Sequence, residues 1–181
     1  HNEEKHDIAR DMLERYTGSK IEDFHKHILL TNFNKYLDVF AERYDAQMHT
    51  GSMWSVIHSD SCKVTMIDFK MGAPTAALVI ELLAVLDPHA VLFLGMCGGL
   101  HESLKVGDFI LPMAAIRDEG VSHHFIPPQV PSLPTFKIQK FVSQMMVDAG
   151  LDYRTGVVHT SGYRFWEFDD EFKRTLYEER A

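Results

Sequence analysis

The sequence has 181 residues, 45% of them hydrophobic, which is enough for a sizeable globular core and not typical of a disordered chain. Its 18 Lys and Arg against 26 Asp and Glu give a formal net charge of −8, which argues against a nucleic-acid-binding protein held by broad phosphate attraction. Charged residues interrupt the longest apolar region, residues 76–94, so it does not predict a membrane span.

Cysteine content and the N-terminal residues bear on the cellular compartment. Cys62 and Cys97 lack the spacing of a metal site and cannot form a framework of several disulfide bridges. The first ten residues are polar and charged, unlike a secretory signal peptide. These features predict a cytoplasmic protein with reduced thiols. Since no repeat, low-complexity tract or linker divides the sequence, we expect one domain over residues 1–181.

Apolar periodicity and turn residues divide the sequence into alternating helices and strands, which predicts an α/β fold. In chain order, the predicted elements are a helix at 6–16, a strand at 27–34, a helix at 34–44, a strand at 63–69, a helix at 76–86, strands at 90–94 and 107–116, a helix at 135–151, a strand at 155–161 and a helix at 169–180. Several prolines in residues 127–134 exclude a helix there and predict an extended segment.

Residues 63–94 form the clearest predicted unit, a strand, a helix and a second strand. Such a crossover places its two strands parallel to each other. Gly72 and Pro74 mark the start of the helix, which is apolar nearly all round except at Glu81. The second strand, residues 90–94, is a continuous apolar run and is predicted to be buried on both faces.

Small, polar or aromatic segments follow the predicted strands. They are residues 31–34, 70–75, 95–99 and 161–167. Ligands of open parallel α/β sheets bind beyond the carboxyl ends of the strands. Any one of these segments, taken singly, is explained by a tight turn, but four at one edge of a sheet predict a ligand site.

Familiar cofactor and metal motifs are missing from the sequence. There is no G-x-x-x-x-G-K-[ST] loop, and residues 95–99 read G-x-x-G-G, not the dinucleotide pattern G-x-G-x-x-G. Neither a zinc-binding H-E-x-x-H nor a G-x-S-x-G nucleophile turn occurs. We therefore expect no cofactor and no metal.

Several motifs together resemble the nucleoside phosphorylase and nucleosidase superfamily, whose members cleave the N-glycosidic bond of purine or uridine nucleosides. They are "MGAPTAALVIELL", the Gly-x-Cys-Gly-Gly turn followed by "VGDFILP", and "TGVVHTSGYRFWEFD". Further stretches are similar to the AMP nucleosidase family, particularly its short bacterial form: "ILLTNFNKYLDVFAERY", "IRDEG", "PPQVPSLPTF" and "WEFDDEFK". The resemblance covers roughly residues 10–181. It implies a three-layer nucleoside phosphorylase-like fold with a central, mostly parallel or mixed sheet flanked by helices.

Departures from the phosphorylase pattern bear on the reaction. Phosphorylases carry an arginine at the end of the strand before the glycine turn and a Ser or Thr inside the turn, and these positions are here Phe93 and Met96. Their Gly-Asp-Pro-x-Arg loop is replaced by "TNFNK". Without those donors, inorganic phosphate loses its charge-assisted partners. The resemblance therefore implies hydrolysis of AMP by water to adenine and ribose 5-phosphate, unless the donors have moved elsewhere, for example to Arg117.

Cleavage of the C1′–N9 bond builds negative charge on adenine and positive charge on ribose, so an acid must protonate the purine while water attacks the anomeric carbon. In the superfamily, an Asp close behind a Met-Glu pair on a later strand and helix serves this purpose. The sequence ends just before that segment, so the catalytic residue stays unassigned and we expect the acid beyond Ala181.

Substrate contacts follow from the same resemblance. Met71 and Gly72 match positions that touch the ribose, although a turn at the start of a helix explains them equally. Cys97, Gly98 and Gly99 match main-chain and small-side-chain contacts along the purine.

The loop that covers the base is matched by Arg164, Phe165 and Trp166. An aromatic ring can stack on adenine, and Arg164 can reach a base edge or the 5′-phosphate. The alternative for one of the two aromatic residues is core packing beneath the loop. Glu167 is a weaker candidate for a substitute acid.

Asn32 and Asn34 lie where phosphorylases hold phosphate, so we expect them to bind the 5′-phosphate or shape its pocket. Arg117 is the preferred cationic partner of that phosphate. The resemblance also implies a homo-oligomer, often of six subunits, that shares residues across a subunit boundary. We expect no nucleic-acid or membrane partner. Two other functions stay open: a phosphorylase or nucleosidase for unphosphorylated purine nucleosides, and a non-catalytic nucleotide-binding protein.

Overall fold

The computed structural model describes residues 2–179, so Arg180, the last residue of the helix predicted at 169–180, lies outside the described residues. The chain forms two compact units, one up to Met96 and the other from Cys97 onward. Within the described range, the first unit holds a five-stranded sheet and the second a two-stranded sheet. The expectation of one domain over residues 1–181 stays a prediction.

The first unit contains each of the helices and strands predicted for it. Its helices are α1 (Asn2–Thr17), α2 (Asn34–Tyr44) and α3 (Ala73–Leu83), and 3₁₀ turns lie at Ile21–Asp23 and Ala84–Leu86. Its strands are β1 (His27–Thr31), β2 (Met48–Thr50), β3 (Ser55–Ser59), β4 (Val64–Asp68) and β5 (Ala90–Leu94). The short strands β2 and β3 were not among the predicted elements.

The sheet of the first unit has the order β2-β3-β4-β1-β5. β1 runs parallel to both β4 and β5, whereas β3 is antiparallel to β2 and β4. The predicted crossover of residues 63–94 is therefore confirmed as parallel, with β1 inserted between its two strands. The sheet is mixed, which is one of the two forms expected.

Helices cover both faces of this sheet because successive side chains of a strand point to opposite faces. One face packs with α1 and α3 into a core whose fully buried members include Leu13, Trp54, Val56, Ile67, Val79 and Leu83. The other face packs with α2 around Leu37, Ile57 and Met66. Full burial of each such side chain stabilises the fold by about 1.5–3 kcal/mol. The first unit therefore has the predicted three layers.

Burial along β5 differs from the prediction. This strand is the edge of the described sheet, and Phe93 keeps 55% of its surface exposed. Burial on both faces is instead found in β4, where four of five residues are buried. Ile80, in the helix that is apolar nearly all round, is also exposed. An apolar run does not reveal which strand occupies the centre of a sheet, so this part of the prediction is wrong.

The second unit pairs β6 (Phe109–Asp118) with β7 (Tyr153–Ser161) in parallel. Its helices are α4 (Phe136–Asp148) and α5 (Asp170–Glu178), with 3₁₀ turns at Val121–His124 and Trp166–Phe168. The register of β6 shifts at Pro112, which lacks an N–H group for the ladder. Among the described residues, no helix combines the length and the apolar character required to cross a membrane.

Candidate functional site

The carboxyl ends of three parallel strands lie side by side in the first unit. The register pairs Thr31 of β1 with Asp68 of β4 on one side and with Leu94 of β5 on the other. The segments that follow these strands therefore leave the sheet at one edge. This arrangement places Asn32 and Asn34 at the same edge as Met71 and Gly72, as the sequence predicts for a ligand site.

Asn32 has a polar side-chain atom that makes no hydrogen bond among the described residues. Its side-chain oxygen Oδ1 is buried and has no hydrogen-bond partner among the described residues. An unsatisfied buried acceptor costs about 1–3 kcal/mol, so such an atom is a candidate for a ligand contact. Asn34 differs, because it is exposed at the first residue of α2.

The turn after β4 is held by a charged pair that the sequence analysis did not single out. Lys70 donates from its backbone N–H to Oδ1 of Asp68 at 2.9 Å and from Nζ to Oδ2 at 2.7 Å. Lys70 and Gly72 have φ angles of 68° and 103°, in the region that favours glycine. The turn leaves Met71 75% exposed at the edge of the sheet. The available sequence signal for this turn was the Asp at the end of β4, because an Asp side chain commonly accepts a hydrogen bond from the backbone N–H two residues further on.

The glycines of residues 95–99 each lie next to a different side chain. A Cβ on Gly95 would lie 2.5 Å from the Phe93 ring, so Gly95 makes room for that side chain. In the second unit, a Cβ on Gly99 would lie 3.1 Å from Leu104, and one on Gly98 would lie 3.5 Å from Trp166. Cys97 is an exposed free thiol. The predicted purine contacts of Cys97, Gly98 and Gly99 stay predictions.

Residues 161–167, here called the base-side loop, follow β7. Ser161 Oγ accepts a hydrogen bond from the Tyr163 N–H at 3.0 Å. Arg164 pairs with Glu167 at 3.1 Å, and its guanidinium lies 5.6 Å from the centre of the Phe165 ring. Arg164, the candidate substrate contact, and Glu167, the candidate substitute acid, therefore bind each other and lie at the surface.

The two aromatic residues of the base-side loop have different surroundings. Phe165 is 65% exposed, whereas Trp166 is half-buried with its ring next to Gly98. The sequence analysis expected one of this pair to pack beneath the loop. Trp166 is the more packed of the two residues, and the contact of Phe165 with a ligand stays a prediction.

Arg117 lies at the carboxyl end of β6, opposite Thr160 of β7. Its guanidinium nitrogens donate to main-chain carbonyls of the following loop, and one of them also donates to the Ser122 hydroxyl. The carbonyl acceptors are Ser122, Ile126, Pro127 and Val130. These bonds favour a role for Arg117 in shaping the loop, and its contact with a nucleotide phosphate stays a prediction.

Glu119 supports the same loop. Burial raises the pKa of its carboxyl group, but hydrogen bonds from the Ser122 hydroxyl and N–H and from the Val121 N–H outweigh burial and hold the pKa below its ordinary value. The Ser122 N–H lies 3.1 Å from Oε2 of Glu119. The ionised Glu119 therefore anchors Ser122, which in turn accepts from Arg117.

Comparison with known proteins gives the family. The model of the phosphorylase superfamily matches residues 17–180, and the chain belongs to this superfamily. The solved structure of AMP nucleosidase from Bacteroides thetaiotaomicron is 42% identical and matches 98% of this chain and 75% of its own with a TM-score of 0.91. The chain therefore has a nucleoside phosphorylase-like α/β fold, as the sequence resemblance implied.

Two further proteins are similar to the chain at lower sequence identity. AMP nucleosidase from Escherichia coli is 26% identical over 205 residues, which are 89% of this chain and 42% of that protein. The chain thus spans less than half the length of this curated relative. Purine nucleoside phosphorylase from Toxoplasma gondii, solved in complex with immucillin-H, has a TM-score of 0.80 at 21% identity, covering 90% of this chain and 68% of its own. That likeness concerns the fold alone.

Proposed function

We propose that the protein hydrolyses the N-glycosidic bond of AMP to adenine and ribose 5-phosphate. The observation that carries the proposal is the 42% identity, over nearly the whole chain, with the Bacteroides AMP nucleosidase. The Escherichia coli relative bears the same name, although the chain covers only part of it. Identity at this level extends beyond the fold, which unrelated activities can share.

Water as the nucleophile is supported by the side chains before and within the glycine turn. Phosphorylases bind the attacking phosphate there with an arginine and a hydroxyl residue, whereas this chain has Phe93 and Met96. Both side chains are more than half exposed and neither can donate a hydrogen bond. A phosphate dianion would lose its charge-assisted partners at these positions, whereas a water molecule does not need them.

Individual contacts are proposed for each part of the substrate. Met71 and Gly72 contact the ribose, and Asn32 supplies its unpartnered Oδ1 to a hydroxyl or a bound water. Phe165 stacks on the adenine ring, and Arg164 reaches the base edge or the 5′-phosphate. We further propose that the protein is a cytoplasmic homo-oligomer. Sedimentation of the complete protein tests the oligomeric state, and a monomer would contradict it.

The test incubates the complete protein with AMP or adenosine, with and without inorganic phosphate, and measures adenine and reducing sugar. Hydrolysis predicts equal release of adenine from AMP in both conditions, with ribose 5-phosphate as a reducing product. Release only in the presence of phosphate would overturn hydrolysis. Faster cleavage of adenosine than of AMP would favour a nucleosidase for unphosphorylated substrates, and tight AMP binding without turnover would favour a binding protein.

A further inference from the structure

His159 of β7 binds two carboxylates that belong to different elements. Its Nδ1 lies 2.8 Å from Oε2 of Glu179, directly after α5, and its Nε2 lies 3.3 Å from Oδ2 of Asp118, at the end of β6. The imidazole itself is only 6% exposed. We call these three residues the His159 clasp.

The His159 ring lies within hydrogen-bonding distance of both carboxylates. A carboxylate oxygen accepts, so a ring nitrogen that carries a proton donates to the carboxylate it faces. Hydrogen bonds between charged partners are stronger than neutral ones, and shielding from water strengthens them further.

Aromatic contacts connect the clasp to the base-side loop. The Phe172 ring of α5 packs edge-on against His159 at a centroid distance of 5.6 Å. The same ring packs edge-on against Tyr163 of the base-side loop at 5.5 Å. Two residues beyond the loop, Asp169 caps α5 by accepting from the Phe172 N–H at 2.9 Å. The loop is thus tied through Tyr163 to the helix that the clasp holds.

We propose that His159 is a positioning residue for the base-side loop. Its imidazole ring holds the end of α5 to β6 and β7, and Phe172 passes this restraint to Tyr163, so the loop keeps the orientation in which Phe165 meets the purine. His159 itself touches no reacting atom. That the loop meets a purine rests on the proposed function, whereas the restraint of the loop by the His159 clasp does not.

Steady-state kinetics of the complete protein test the effect on substrate binding. His159→Gln keeps a single donor group, and Glu179→Gln removes one of the anions. Each is expected to raise KM for AMP by about tenfold, because a mobile loop must be ordered again on binding. The value of kcat is expected to stay within about twofold, as for a loss of uniform binding. Glu178→Gln is the matched control, since Glu178 is exposed one residue away and the charge change is the same.

Tryptophan fluorescence tests the order of the loop without any substrate. Trp54 is fully buried, so quenching by acrylamide reports on Trp166. His159→Gln and Glu179→Gln are expected to increase this quenching, and Glu178→Gln to leave it unchanged. If His159→Gln fails to fold, Glu179→Gln and Asp118→Asn carry the test, because both carboxylates are partly exposed.

Each outcome has one meaning. A lower melting temperature with KM and quenching unchanged would show a merely structural role and overturn the proposal. A raised KM without increased quenching would also overturn it, since the loop would then be unaffected. If the unmodified protein releases no adenine from AMP, the proposed function fails, and the quenching measurement alone decides the clasp.

Discussion

Lys70 satisfies both oxygens of a buried carboxylate two residues before it. Its Nζ lies 2.7 Å from Oδ2 of Asp68 and its N–H lies 2.9 Å from Oδ1, while Asp68 is 1% exposed. Lys70 makes both contacts with a left-handed φ of 68°. Strain of this kind costs about 1–3 kcal/mol and persists where surrounding contacts offset it. The pair therefore fixes the turn that exposes Met71.

Replacing Lys70 should reveal the strength of this pair. Lys70→Met removes the ammonium but keeps the strained backbone, and we expect a loss of about 2 kcal/mol in the free energy of unfolding, as for a hydrogen bond to a charged group. Lys70→Gly should lose less, because glycine relieves the strain and keeps the N–H bond to Asp68. Urea denaturation measures both.

Lys63 offers a matched control for that experiment. It also has a left-handed φ, 57°, but its partner Asp60 is exposed on the surface. Lys63→Gly should be neutral or stabilising, since an exposed ion pair contributes little. Equal stability of Lys70→Met and the unmodified protein would contradict the importance of the buried pair.

Gly51 is predicted to be the least replaceable glycine in the first unit. A Cβ there would lie 2.3 Å from the Tyr16 carbonyl oxygen and 2.4 Å from the Gly18 nitrogen, which are backbone atoms that cannot rotate away. Gly51→Ala should therefore destabilise the protein by about 3 kcal/mol. Gly156→Ala is the control, because nothing lies within 4 Å of its added Cβ. Similar melting temperatures for the two variants would contradict the prediction.

Local sequence signals were sufficient for much of the first unit. The helix predicted at 34–44 has those bounds, because its apolar face repeats at helical spacing. The crossover of residues 63–94 is parallel as predicted, since its turn residues and apolar runs agree with one another. The segment 45–62 gave no comparable signal, and its strands β2 and β3 pair antiparallel by tertiary contact.

The positions of candidate site residues could be predicted where a sequence motif contains them. They could not be predicted where the role of a residue depends on a partner distant in sequence. Asn32, Asn34, Met71 and Gly72 share one edge because parallel strands end in register. The role of Asp68 depends on its burial, and that of His159 on carboxylates 41 residues before it and 20 after it. No local pattern links residues so far apart in sequence. For the same reason, the carbonyl acceptors around Arg117 could not be foreseen.

His58 should make the stability of the protein pH-dependent. Burial of the ring, together with the nearby His49, lowers the pKa of His58 from 6.5 to about 4. Between these pH values the unfolded chain binds a proton at His58 and the folded chain does not, so stability is lost as the pH falls from 6.5 towards 4. We expect His58→Gln to weaken this loss in urea denaturation measured across that range.

The hydrogen bonds of His58 suit an uncharged ring, since its Nε2 and Nδ1 lie 2.7 Å and 3.0 Å from the hydroxyls of Ser19 and Thr65. His6→Gln, on the exposed side of α1, is the control and should keep the pH dependence of the unmodified protein. Parallel pH profiles for His58→Gln and the unmodified protein would show that another group titrates.

Phe165 and Trp166 should separate substrate binding from stability. Phe165 is largely exposed, so Phe165→Ala should raise KM for AMP by about tenfold through loss of stacking on the base, with stability nearly unchanged. Trp166 packs next to Gly98, so Trp166→Ala should lower stability by about 2 kcal/mol, less than for a fully buried aromatic residue. Kinetics and thermal melting of the complete protein measure both effects.

Phe168 provides the control for these two variants, because it is 85% exposed directly after the base-side loop. Phe168→Ala should change neither KM nor the melting temperature. The opposite pattern, with KM raised only by Trp166→Ala and stability lowered only by Phe165→Ala, would assign the stacking residue to Trp166. Because the two aromatic side chains are adjacent in sequence, only their different burial separates their roles, and that difference makes the outcome decisive.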